Sequence, residues 1–198
     1  MTRVYFVRHA QPEHSWEDDR TRPLTKEGLA DAEQVKILFT DISIHHFYSS
    51  PYRRSLDTIR PSATAAKKEI ITDERLRERQ KGQGGNEYGM FEKRWANFDY
   101  HEENGESLAN TQSRNIAALS DILRRHPNTN LAVGTHGTAL STILRYYDSS
   151  YGCQNFLRII DFMPYVIRLD FEGLACVAQE ELLIVRKEFK GRKRADRQ

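Results

Sequence analysis

The sequence predicts an α/β protein of three layers. A mostly parallel central sheet lies between helices, with one antiparallel strand at the edge, and three observations carry the prediction. Short apolar runs alternate with helical patterns through the first half of the chain. Two of those runs end in histidine at a strand-to-helix junction. The chain closes on two long strand-like segments that read as a hairpin. Strands alternating with helices make a parallel sheet covered on both faces, and a closing hairpin adds a strand of opposite direction.

Taken in order, Val4-Tyr5-Phe6-Val7 forms a strand within residues 3–8 that stops at Arg8-His9. A helix follows over 25–39. Thr25 is a good N-cap, and Leu29, Ala32, Val35, Leu38 and Phe39 recur at helical spacing. A strand at 46–49 runs into Ser49-Ser50-Pro51 and a helix over 51–66. There Ser50 can cap, and Pro51 suits the first helical position. Residues 69–72 give a third strand. Residues 76–105 are polar and glycine-containing, with an aromatic patch at Met90, Phe91, Trp95 and Phe98, and they read as an insertion or lid. A long amphipathic helix covers 106–126, a strand 130–135 (NLAVGT) and a helix 139–147. Strands at 163–171 and 174–185 join at Glu172-Gly173 as the hairpin.

A chain of 198 residues, 38% apolar and 29% charged, suits one globular domain. We place that domain at 1–185, with the lid inserted at about 76–105 and a basic tail at 186–198. The formal net charge of +2 hides an asymmetry. The tail RKEFKGRKRADRQ holds seven Lys/Arg against Glu188 and Asp196, which leaves the rest net negative. The ordinary reading of such a tail is a frayed, solvated end, so no nucleic acid or membrane partner is expected. No run is long and apolar enough to span a bilayer. Cys153 and Cys176 have no metal-type spacing and read as two buried free thiols of a cytoplasmic protein. The hairpin edge offers a place for a homodimer to form.

In sheets of this kind, ligands bind at the carboxyl ends of the strands. There the sequence puts Arg8-His9, His136-Gly137 and, past Ser49-Ser50-Pro51, Arg53-Arg54. Two imidazoles and two guanidinium groups therefore converge on one pocket. Guanidinium forks match a phosphate monoester dianion. The helix after His136 adds backbone N–H groups at Gly137 and Thr138 and the positive end of a dipole. Neighbouring cations disfavour imidazolium, so one histidine stays neutral and can attack phosphorus, giving a phosphohistidine. No metal or other cofactor is implied, since nearby arginine repels a cation. The leaving alkoxide needs a proton, which a carboxylic acid beside the bound dianion can supply. Glu78, just past the third strand, is the best placed acid by topology, with Glu106 and Glu13 as alternatives.

These motifs, in this order, resemble the histidine phosphatase superfamily, also called phosphoglycerate mutase-like. Its Arg-His-Gly is similar to Arg8-His9-Ala10, its LTxxGxxQA to residues 24–32, and its SSPLxRAxxT to residues 49–58. Its LxExxxG is similar to residues 76–82, its GES to Gly105-Glu106-Ser107, and its second His-Gly to His136-Gly137. The match covers residues 3–147, and several motifs in order are far more specific than one. The resemblance implies that His9 is the nucleophile, that Arg8 and Arg54 bind the phosphoryl group, that His136 donates a hydrogen bond to it, and that Glu78 donates the proton. Ala10 departs from the family's Gly. Pro12 and Ser15 stand where the family often has phosphate-touching Ser or Thr and Asn, with Gln11 expected to compensate.

The resemblance also frames the activity. Mutases of the family carry a Trp-Asn pair after the first histidine and an Asn-Glu-Arg acid segment. His14-Ser15-Trp16 and Leu76-Arg77-Glu78-Arg79 reproduce neither. A phosphatase acting on a small phosphorylated molecule is therefore expected, ahead of a phosphoglycerate mutase-type isomerase. A catalytically silent binding module on the same fold is the third reading, and the intact Arg8, His9, Arg54 and His136 argue against it. The remaining histidines, His14 included, read as solvated polar residues, and the lid aromatics as packing groups. The acidic surplus of residues 82–103, Glu87, Glu92, Asp99, Glu102 and Glu103 against Lys93 and Arg94, would disfavour substrates with several phosphates.

Overall fold

A computed structural model describes residues 1–190. The elements are β1 (Thr2–Arg8), α1 (Lys26–Leu38), β2 (His46–Ser49), α2 (Arg53–Ala65), β3 (Ile70–Thr72), α3 (Met90–Ala96) and α4 (Leu108–Arg125), followed by β4 (Asn130–Thr135), α5 (Gly137–Tyr147), α6 (Cys153–Ile159), β5 (Phe162–Glu172) and β6 (Ala175–Arg186). They form one six-stranded sheet in the order β3-β2-β4-β1-β5-β6. The first four strands are parallel, β5 runs against them, and β6 returns at the edge.

Alternation along β1 shows how the layers arise. Successive side chains of a strand point to opposite faces. Val4 and Phe6 pack with Leu119 of α4 and Leu140 of α5, whereas Tyr5 and Val7 pack with Val35 of α1 and Ile59 of α2. Both faces are buried, so β1 and β4 read as unbroken apolar runs. Strand β6 is largely exposed, with Gln179, Glu180 and Glu181 along it, which discourages edge-to-edge pairing.

Register sets the site. Arg8 pairs with Thr135, and Ser49 pairs with Gly134 and Thr72. The residues just after these pairs, His9, His136, Ser50 and Asp73, therefore emerge at one level on one edge of the sheet. The α1 entry is tied to the same place. Thr25 caps Gly28 N–H and sends its own N–H to Gln11 O (3.0 Å). A side chain on Gly28 would run into that carbonyl, which accounts for glycine there.

Helix α2 begins at Arg53, two residues later than expected, and has no side-chain cap. The Ser50 hydroxyl is engaged elsewhere, by Tyr52 N–H (3.2 Å) and His136 Nε2 (2.7 Å). Helix α6 was not legible. Its seven residues are too few for a periodic signal, and only Gly152 N–H to Asn155 Oδ1 (2.9 Å) marks its start. The insertion leaves and returns at one point: Gln83 N–H bonds Glu103 O (3.0 Å), and Glu106 N–H bonds Gln80 O (3.0 Å). Phe91 and Trp95 of α3 pack on Phe156 of α6, and all three also line a cavity.

Two expectations need correction. Cys153 and Cys176 are in no disulfide and are only partly buried. The start of the tail is anchored rather than frayed. Lys187 N–H bonds Asp161 O (2.8 Å), Phe189 N–H bonds Asp161 Oδ1 (2.7 Å), and Lys187 Nζ pairs with Asp31 (2.9 Å). The rest of the expected tail, 191–198, lies outside the described residues. No helix among the described residues is long and apolar enough to cross a membrane.

Candidate active site

His9 follows β1 directly and is 6% exposed. Its backbone N–H bonds Thr135 O (3.1 Å), and the next N–H, of Ala10, bonds Thr58 Oγ1 of α2 (2.9 Å). The loop is thus held from both sides. His9 Nδ1 lies 2.8 Å from Ala10 O. A carbonyl only accepts, so Nδ1 carries the proton and Nε2 has the lone pair. Burial, with Arg54 and Arg8 nearby, holds the imidazole pKa well below 6.5, so the ring is neutral.

Arg8 is 3% exposed, and α6 is the reason it is tolerated there. Its NH1 donates to Ile159 O and Phe162 O (3.1 Å), and NH2 donates to Ile160 O (2.9 Å). Carbonyls at a helix C-terminus carry partial negative charge and suit a cation. Burial pulls its pKa down to about 10, still fully charged at neutral pH. Arg54, 4% exposed, donates NH1 to Asp19 O (2.5 Å) and pairs with Asp19 Oδ1 (3.2 Å). Tyr52 lies under its guanidinium, 5.0 Å from the ring centre. Arg53, by contrast, pairs with Asp57 at the surface.

His136 is fully buried, its ring centre 5.3 Å from that of His9. Ser50 Oγ already accepts from Tyr52 N–H, so its hydroxyl can donate to His136 Nε2. That leaves the His136 proton on Nδ1, which is buried without a partner, as is Arg8 Nε. Buried donors are normally satisfied, and an oxyanion would satisfy both.

Glu78 lines the same cavity. Its Oε1 accepts from Arg79 N–H (2.8 Å) and Ala139 N–H (2.9 Å), and its Oε2 accepts from Thr138 N–H (3.0 Å). The other two acids are placed elsewhere. Glu106 is locked to Arg114 and Arg77, and Glu13 is turned to Ser15, both outside the cavity wall.

Three sequence expectations change here. Gly137 and Thr138 both line the cavity, Gly137 against Arg8, but the Thr138 N–H is occupied by Glu78. Gln11 does not line it: its side-chain carbonyl faces Thr25 Oγ1 (3.3 Å). Arg94 lines the cavity from within the acidic segment 82–103, and Arg79 and Lys81 line it from just before that segment, so the acidic composition does not describe the face that meets the cavity.

The wall also holds residues that sequence reasoning missed: His14, Asp19, Arg22, Phe189 and Lys190. Of these only the basic character of the tail was visible beforehand. His14 packs edge-on against Phe189 (5.4 Å), and burial with Arg22 and Arg54 pushes its pKa down to about 4.

The buried histidines make a prediction about stability. Unfolded, each takes up a proton near pH 6.5, whereas folded His9, His136 and His14 do so only at lower pH. Below 6.5 the unfolded chain binds more protons, so stability rises with pH through this window and is lost as pH falls. The urea midpoint is expected to be lower at pH 5.5 than at pH 7.5; an unchanged or higher midpoint would contradict the buried neutral state.

A parallel sheet with a neutral histidine held between two buried arginines defines a class: α/β proteins that handle phosphoryl groups through histidine. Within that class, the profile of the histidine phosphatase superfamily (branch 1) matches residues 4–172, and the chain belongs to this superfamily. It is 30% identical over 167 residues to a probable phosphoglycerate mutase of Proteus mirabilis, covering 73% of this chain and 74% of the relative. It is 29% identical over 178 residues to phosphoserine phosphatase 1 of Hydrogenobacter thermophilus, covering 78% and 83%. The solved phosphoserine phosphatase of Entamoeba histolytica shares the fold at a TM-score of 0.76 and 20% identity, covering 92% of this chain and 98% of that one.

Proposed function

We propose that this protein is a phosphomonoesterase that works without a metal, through a phosphohistidine, on a small phosphorylated metabolite. The carrying observation is the bond from His9 Nδ1–H to Ala10 O beside Arg8 and Arg54, which leaves Nε2 as the nucleophile. The phosphoryl group would take hydrogen bonds from Arg8 Nε, Arg54 and His136 Nδ1–H. As the Nε2 lone pair forms the N–P bond, the ester P–O bond breaks, and Glu78 gives its proton to the leaving oxygen. The Glu78 carboxylate then takes a proton from water as that water attacks phosphorus. The N–P bond breaks, restoring His9 and releasing phosphate. The arginines neutralise charge on the group in transfer.

A lid, α6 and the C-terminal segment all wall the cavity, which favours a small molecule over a folded protein. Two cysteines outside any disulfide fit a cytoplasmic setting. The phosphoserine phosphatase relative supports hydrolysis. The mutase relative supports a second reading, in which the phosphoryl group returns to another hydroxyl of a phosphosugar acid. Phosphate release from a panel of phosphomonoesters, with chelator present, separates the two. Turnover unaffected by chelator is expected; isomerisation of 3-phosphoglycerate without phosphate release would favour the mutase.

A further inference from the structure

Glu78 sits in a stretch, residues 77–82, that forms neither helix nor strand. A proton donor must nonetheless be held closely, since a displacement of about 1 Å can cost on the order of 100-fold in rate. The carboxyl is held by the Arg79, Thr138 and Ala139 N–H groups, and the backbone that carries it is ordered from α4. Arg114 NH1 donates to Arg75 O (2.7 Å) and Arg77 O (2.6 Å), and NH2 donates to Glu78 O (3.0 Å). Its Nε and NH2 grip the two oxygens of Glu106 at 2.7 and 2.8 Å. All five N–H donors of the guanidinium are thereby used.

Glu106 completes the clamp from the other side. Its Oε2 accepts Gln80 N–H (3.1 Å) and Arg77 NH1 (3.1 Å), and its own backbone bonds Gln80 O (3.0 Å) and Arg79 NH1 (2.8 Å). Burial alone would raise the Glu106 carboxyl, but the bonds from Arg114, Gln80 and Arg77 outweigh it and hold its pKa down to about 2. Neither side chain lines the cavity. One ion pair thus fixes the backbone on both sides of Glu78.

We infer that the Arg114–Glu106 pair is a positioning device for proton donation by Glu78, an inference that rests on the phosphomonoesterase reading above. Its signature is dependence on the leaving group. An alkyl alcohol needs a proton to depart, whereas p-nitrophenolate is stable enough to leave without one. The transfer of phosphorus to His9 uses groups on β1, α2 and α5, which the clamp does not hold.

The experiment compares kcat/KM for an alkyl phosphomonoester and for p-nitrophenyl phosphate in native protein, Glu78→Gln, Arg114→Ala, Arg114→Lys and Glu106→Gln. This constant reports the steps up to cleavage of the ester bond and leaves out the later hydrolysis, in which Glu78 acts as base whatever the leaving group. Arg114→Ala is expected to lose about 100-fold or more on the alkyl ester, within the usual span of general-acid effects. Its loss on p-nitrophenyl phosphate should be at least about tenfold smaller. Added guanidinium should recover part of the alkyl activity, and Arg114→Lys should not, because an ammonium cannot form the five-bond fork. Equal losses on both substrates overturn the inference. If Glu78→Gln shows leaving-group dependence and the clamp variants do not, the inference fails while the acid assignment survives. If Glu78→Gln shows none, the acid assignment fails, and the inference with it. Should Arg114→Ala not fold, Glu106→Gln decides on the same ratio.

Discussion

His9→Ala is expected to reduce phosphate release to background, a loss of about 10⁶-fold by analogy with removal of other enzymic nucleophiles. Among the described residues no other histidine can take its place. His136 is fully buried, and its Nε2 is committed to Ser50. His14 is neutral but lies on the wall beside Phe189 and Arg22, in the loop that leaves the sheet edge. Among the described residues, only His9 combines a fixed tautomer, a free Nε2 and two flanking guanidinium groups. The substitution should leave the fold intact, because the loop's backbone bonds to Thr135 and Thr58 do not involve the imidazole. Phosphate release and a melting curve, measured on one preparation, check both statements. A folded variant that retains more than about 1% of native activity would remove His9 from the nucleophile's role.

The order of strands and helices was legible because each apolar run and each helical period is local. Strands β2 and β4 were read at their observed bounds, and His9 and His136 stood out because each closes a buried strand. What sequence could not give was contact between distant segments. Arg8 is tolerated in the interior because α6, unseen beforehand, brings the carbonyls of Ile159 and Ile160 to it. Phe189 reaches His14 only because Asp161 anchors the segment after β6. Gln11 lies beside Thr25 and outside the cavity wall, and the Thr138 N–H is taken by Glu78, neither of which a local pattern announces. The lid's charge was misread for the same reason: composition counts Glu102 as surplus acid, although it is buried between two arginines.

That triad carries the largest expected effect on stability. Glu102 Oε2 lies 2.9 Å from Arg79 NH1, and Oε1 is held by Nε (2.6 Å) and NH2 of Arg94; all three side chains are at most 4% exposed. Glu102→Ala would leave two buried guanidinium groups facing each other without a counter-charge, and breaking such a network costs about 3–5 kcal/mol. For a chain of this length each kcal/mol moves Tm by about 2–4 °C, so a fall on the order of 10 °C is expected. Much of the loss should be local, because the lid folds back on itself through Gln83–Glu103 and Gln80–Glu106 bonds that the triad braces. Proteolysis should then cut first within residues 83–104. Arg79 N–H also bonds Glu78 Oε1, so kcat should fall along with stability. Replacing all three members with apolar residues of similar volume should recover most of the Tm, because the triad's own net contribution is small once desolvation is counted. It should not recover kcat, since the cavity would have lost two cations. A triple variant as unstable as Glu102→Ala would mean that the arginines hold the lid through more than this carboxylate.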